Sequence, residues 1–112
     1  MDKSRDQTYC KHILELIAEI ETFVQGMTLE QFEADLKTQR AVTRDLEVIG
    51  EASKRLSEEF QDEHGQIPWR RIGGMRDFLI HDYMKVDMKE VWKSATEDIK
   101  QLKNILNENL SI

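Results

Sequence analysis

An arginine, a histidine and a tyrosine stand within eight residues in Arg76-Asp77-Phe78-Leu79-Ile80-His81-Asp82-Tyr83, just after the pair Gly73-Gly74. Arginine stays cationic at any working pH and grips a phosphate through two parallel N–H groups. Histidine gives and takes protons near neutrality. A tyrosine hydroxyl hydrogen-bonds or carries a modification. Side chains of these three types suit proton transfer and charge stabilisation at a phosphate.

Spacing qualifies that reading. A helical residue turns by about 100°, so Arg76 and Tyr83 share a face while His81 lies about 140° from Arg76. One undistorted helix cannot bring Arg76 and His81 onto one small group. Either the helix tightens or ends near Ile80, or a second chain completes the site. Asp77 and His81 stand at i and i+4 and face each other. Asp77 can therefore accept a hydrogen bond from His81, fix its tautomer and favour the imidazolium. Judged by spacing alone, an Arg and a His on an amphipathic helix are more often surface or cap residues.

The elements that must hold this stretch are helical. The first helix runs over 5–25, with Tyr9, Ile13, Leu16, Ile17, Ile20 and Val24 as its apolar stripe and Gly26 as its stop. Thr28-Leu29-Glu30-Gln31 reads as a capping box for a short helix over 29–36. A long helix follows over 38–62, striped by Val42, Leu46, Ile49, Leu56 and Phe60. Gly50 in its middle costs about 1 kcal/mol against alanine, which close approach of another helix offsets. His64 falls in an exposed turn. Pro68 suits a first helical turn, and Trp69 reads as a core anchor rather than a base-stacking platform. Gly73-Gly74 reads as a break or kink before Arg76, where free N–H groups would favour an anion. Asp87-Met88-Lys89-Glu90 opens the last helix, over 88–109, with the tail 108–112 fraying.

Composition bounds the rest. At 112 residues the chain, 1–112, is expected to form one domain, and its many charges with a single proline suit helices. There is no apolar run near a membrane span, and with so polar a start no signal peptide is expected. Cys10 is the only cysteine, so it reads as a small buried hydrophobe in a reducing, cytoplasmic setting. His12 has no convergent ligands; no metal and no cofactor are expected. The net charge of −6 argues against a broad nucleic-acid surface. Yet 1–36 carries three basic against eight acidic residues, and 68–93 six basic against four acidic. A confined phosphate site fits that distribution, with Arg70, Arg71, Gly74 and Lys85 as candidate phosphate or RNA contacts.

These residues also carry a resemblance. Arg76, His81 and Tyr83 form an R-x-x-x-x-H-x-Y pattern, preceded by Ile67-Pro68-Trp69 and Gly74-Met75 and followed by Val86-Asp87. Upstream stand Ala41-Val42, Arg44-Asp45-Leu46-Glu47 and Ile49-Gly50-Glu51-Ala52. The chain resembles, over about 9–106, the HepT-like family of HEPN-domain ribonuclease toxins of type VII toxin–antitoxin systems. That resemblance implies an all-α, antiparallel bundle of four to five helices, paired as a homodimer with the motif helices meeting. It implies metal-independent RNA cleavage by Arg76 and His81, on tRNA or mRNA. It also implies an MntA-like nucleotidyltransferase antitoxin that adenylylates Tyr83. One departure is Asp77, where these proteins often have asparagine. The alternative class is a non-catalytic helical adaptor, or nucleotide-binding module, that dimerises and regulates a nucleotidyltransferase.

Overall fold

The computed structural model describes residues 3–81 and 83–110, and the side chains of 4–81 and 84–108. Seven α-helices follow one another among the described residues: α1 (Lys3–Val24), α2 (Leu29–Glu33), α3 (Leu36–Lys54), α4 (Glu58–Glu63), α5 (Trp69–His81), α6 (Met88–Lys93) and α7 (Ile99–Leu110). No strand occurs among these residues, and the fold is an all-α bundle. A 3-10 turn, Tyr83–Lys85, follows α5, and a π-helical turn, Ser94–Asp98, joins α6 to α7. No helix among the described residues is long and apolar enough to cross a membrane.

The stripes pack as their periodicity requires. Ile13, Ile17 and Ile20 of α1 meet Val42, Leu46 and Ile49 of α3, and Leu102 and Leu106 close the core from α7. All are at least nine-tenths buried. Each such aliphatic side chain is worth about 1.5–3 kcal/mol of transfer free energy. Cys10 is buried among them, which pushes its thiol up to about 11, well away from nucleophilic character.

Local chemistry sets several ends as read. Thr28 and Gln31 form both halves of the capping box, and Asp87 caps α6 through Lys89 N–H. His64 differs from the exposed residue expected. Its ring packs on Phe60 and its carbonyl accepts from Trp69 Nε1. The expectation for the tail falls partly on 111–112, outside the described residues.

Two expectations are corrected. The long helix over 38–62 is two helices. α3 ends at Lys54, and Ser57 caps α4 by accepting from Phe60 N–H. The break is fixed from far away: buried Asp6 of α1 accepts from Ser57 N–H at 2.9 Å and Ser57 Oγ at 2.6 Å. Nor does Gly73-Gly74 break α5, which runs unbroken from Trp69 to His81. Gly73 is buried where the Lys54 side chain of α3 crosses it, and this packing carries the helix through. The N–H groups there lie inside the helix, not at an open start.

Candidate active site

α5 crosses α3 at Gly50. A Cβ placed on Gly50 would overlap Arg76 Cβ and stand 3.1 Å from the Ile72 carbonyl oxygen. Only a residue without a side chain lets the two backbones approach this closely. The expected packing role of Gly50 is therefore met, and the residue it admits is Arg76.

The Arg76 guanidinium is held on both sides. Nη2 pairs with Glu51 Oε1 at 3.1 Å and Nη1 with Asp77 Oδ1 at 3.0 Å. Glu51 also pairs with Arg55 at 3.4 Å, and Asp77 accepts from Lys54 Nζ at 2.6 Å. Charges alternate as Arg55, Glu51, Arg76, Asp77, Lys54, so three cations meet two anions and one positive charge is left over. Arg76 Nε–H is buried with no acceptor among the described residues. A network with surplus positive charge and an unused donor suits an incoming anion.

Asp77 does not take the role expected of it. Its carboxylate is bound by Lys54 and Arg76 rather than by His81, and these hydrogen bonds hold its pKa below the usual value. Glu51 was not singled out by sequence reasoning, although it stands in the Ile49-Gly50-Glu51-Ala52 block beside the glycine. Its position after a mid-helix glycine was the available signal.

His81 is the last residue of α5 and is exposed. The helix does end next to Ile80, but it keeps α geometry through His81, so within one chain Arg76 and His81 still lie about 140° apart around α5. Large apolar groups stand exposed next to each. Phe78, 41% exposed, is one turn before His81, and Ile80, 43% exposed, is one turn after Arg76. Met84 follows at 93% exposure. Asp82 and the Tyr83 side chain lie outside the described residues.

The remaining candidates separate. Arg71 pairs with Asp98 of the π-helical turn at 3.0 Å, on the α7 side of α5. Arg70 is exposed beside an open groove floored by Gly73 and Gly74, and neither it nor Lys85 has an ion pair among the described residues. No group of three or more His, Cys, Asp or Glu gathers to hold a metal among those residues.

Comparison with known proteins matches this chain, over residues 13–108, to the family described as ribonuclease HepT-like. "Probable ribonuclease HepT" of Thermococcus cleftensis is 46% identical over 101 residues, covering 90% of this chain and 92% of that one. "Putative RNase TTE0752" of Caldanaerobacter subterraneus subsp. tengcongensis is 39% identical over 102 residues, covering 91% of each chain. "Putative RNase MJ0127" of Methanocaldococcus jannaschii is 38% identical over 112 residues, covering 96% of this chain and 93% of that one. No solved structure matches.

Proposed function

The chain belongs to the ribonuclease HepT-like family, and from that premise we propose that it is a toxin-type endoribonuclease acting through Arg76 and His81. One observation carries the reading. Arg76 is fixed at the α3–α5 crossing by Gly50 and Glu51, while His81 stands exposed at the end of the same helix with exposed apolar groups beside both. A second copy that covers Phe78 and Ile80 brings its own His81 toward Arg76. The unit is then a homodimer of one helical domain with a composite cleft.

In that cleft the RNA 2′-hydroxyl attacks the adjacent phosphorus. The P–O2′ bond forms and the P–O5′ bond breaks, leaving a 2′,3′-cyclic phosphate and a 5′-hydroxyl. His81 accepts the 2′-proton, and an imidazolium returns one to the leaving O5′. Arg76 stabilises the charge that grows on the phosphoryl oxygens. The step balances without a metal ion. Removing the proton carrier, His81→Ala, should lower cleavage of a mixed RNA by about 10²–10⁴-fold. Cleavage at the wild-type rate would reject the mechanism.

Tyr83 is the proposed control point. It stands seven residues after Arg76, in the turn that follows α5, and an AMP carried there adds negative charge to the motif that is to receive a phosphate. Incubation with an MntA-like nucleotidyltransferase and ATP should add one AMP to Tyr83 and abolish cleavage. Full modification with cleavage intact would reject this role. A second reading, the non-catalytic adaptor, draws on the two carboxylates that already occupy Arg76. Growth arrest on expression that Arg76→Ala abolishes and surface changes do not would decide for the enzyme.

A further inference from the structure

Next to the Arg76 network, α3, α4 and α5 border an open groove of about 500 Å3, lined by residues that include Lys54, Trp69, Arg70, Gly73, Gly74 and Asp77. We propose that this groove is a subsite for a flanking nucleotide of single-stranded RNA. Its phosphate lies between Lys54 and Arg70, and its sugar or base rests on the bare backbone at Gly74. The inference rests on the RNA reading above and extends it to a place where the substrate is held.

Gly74 is the first argument. A glycine inside a helix costs about 1 kcal/mol against alanine. At Gly50 and Gly73 a neighbouring side chain occupies the space where a Cβ would go. At Gly74 nothing among the described residues lies within 4 Å of that position, and the backbone angle is not one that demands glycine. Packing among the described residues therefore gives no reason for it. Close approach of something outside the chain does.

Charge is the second argument. Arg71 and Arg76 are each tied to carboxylates. Arg70, on the groove, has no ion pair among the described residues and remains available to a phosphate. Lys54 lies across Gly73, and its ammonium reaches Asp77, which also binds Arg76. The groove is thus continuous with the arginine proposed to hold the scissile phosphate.

Rigidity is the third. Trp69 Nε1 donates to the carbonyls of Gln61 and His64 at 3.2 and 3.0 Å, and its ring packs edge-on against Phe60. The groove therefore has one fixed aromatic wall. Cations along a channel with an aromatic surface are the ordinary means of holding single-stranded nucleic acid without sequence preference.

The test reads binding, so it does not depend on catalysis. The probe is a fluorescein-labelled RNA oligonucleotide methylated at every 2′-oxygen, which cannot be cleaved by 2′-attack. A Cβ on Gly74 meets nothing within 4 Å among the described residues and leucine favours the helix, so Gly74→Leu is compatible with the fold, which its circular dichroism and melting should show unchanged. It projects into the groove, and probe affinity should fall by about tenfold or more as the nucleotide loses its seat on the Gly74 backbone. Arg70→Ala should weaken binding and make the salt dependence shallower by about 0.7 in log–log slope. A Gly74→Leu chain that binds like wild type, or a wild type that does not bind, overturns the inference. If Gly74→Leu loses the probe while His81→Ala still cleaves RNA, the subsite stands and the catalytic assignment falls.

Discussion

Gly50 of α3 lies directly beneath Arg76 of α5, so closely that a methyl group on the glycine would occupy the place of the arginine Cβ. The clash is with the root of the side chain and with the Ile72 carbonyl, neither of which can swing aside. Gly50→Ala must push α5 away from α3. Overpacking of this kind costs about 1–3 kcal/mol, against which alanine returns about 1 kcal/mol of helix propensity. A net loss of up to roughly 2 kcal/mol in urea denaturation is expected. Cleavage should fall further than stability, because the shift carries the guanidinium away from Glu51.

Asp77 sets how much of the Arg76 charge is on offer. It binds Arg76 and Lys54 together, in a partly exposed position. Asp77→Asn removes one of the two anions and leaves both cations with an uncharged neighbour. Exposed pairs of this kind are largely screened by solvent, so folding should change little. Binding of the methylated RNA should become several-fold tighter and more steeply dependent on salt, by about 0.7 in slope for one more cation available to phosphate. Equal or weaker binding would show that Asp77 positions Arg76 more than it neutralises it.

What could be read from the chain follows a physical line. Stripes, the Thr28–Gln31 box and the Asp87 cap depend on residues within one or two turns, and they are visible as pattern. Gly50 was legible as a point of close approach because a mid-helix glycine is unfavourable without one. The end of α3 was not legible. The apolar stripe passes through Leu56 to Phe60 undisturbed, and the break depends on Asp6, 51 residues from Ser57. Continuity of α5 through two glycines was likewise hidden, since it rests on Lys54 lying across Gly73. The pairing of Arg76 with Glu51 needed the crossing of two helices that no local pattern encodes.

Acid should stabilise one part of the core. Asp45 of α3 is buried, and Glu19 of α1 stands against it. With both ionised neither has a proton to donate, and Asp45 Oδ2 is left buried without a donor. Burial, then the hydrogen bond and charge of Glu19, push Asp45 up to about 7, against a smaller opposing pull from Arg44. The folded state thus holds a proton that the unfolded chain releases near the ordinary value of 3.8. This contribution is fully present below that value and is lost as pH rises toward about 7. Asp45→Asn keeps a donor at every pH. Denaturation at pH 5 and pH 8 should show the variant gaining on wild type at the higher pH, by on the order of 1–3 kcal/mol. A constant difference between the two would place the proton elsewhere.

The apolar groups around the motif make the dimer testable without reference to cleavage. Phe78, Ile80 and Met84 are exposed within seven residues of one another, an arrangement with no benefit to a lone chain in water. Ile80→Lys removes one of these contacts and adds a charge that a second copy of the same surface would repeat. Sedimentation at micromolar concentration should shift from dimer to monomer, with the helical signal unchanged. A wild type that sediments as a monomer would remove the composite cleft.

Mixing variants tests the cleft itself. On α5, Arg76 and His81 lie about 140° apart, so a productive pair draws one residue from each copy. Arg76→Ala and His81→Ala chains should each be inactive alone. A mixed dimer of the two keeps one intact pair, the arginine from one chain facing the histidine of the other. Random pairing makes half the dimers mixed, each with one of two sites, so mixing should restore about a quarter of the wild-type rate. Ile80→Lys introduced into both chains should remove that recovery, because the pair depends on association. If mixing restores nothing while both variants remain dimeric, either each site needs both histidines or the pair acts within one chain. A wild-type chain joined in the same dimer to a His81→Ala chain separates these. Half activity per dimer points to a pair within one chain, and none points to a site that needs both.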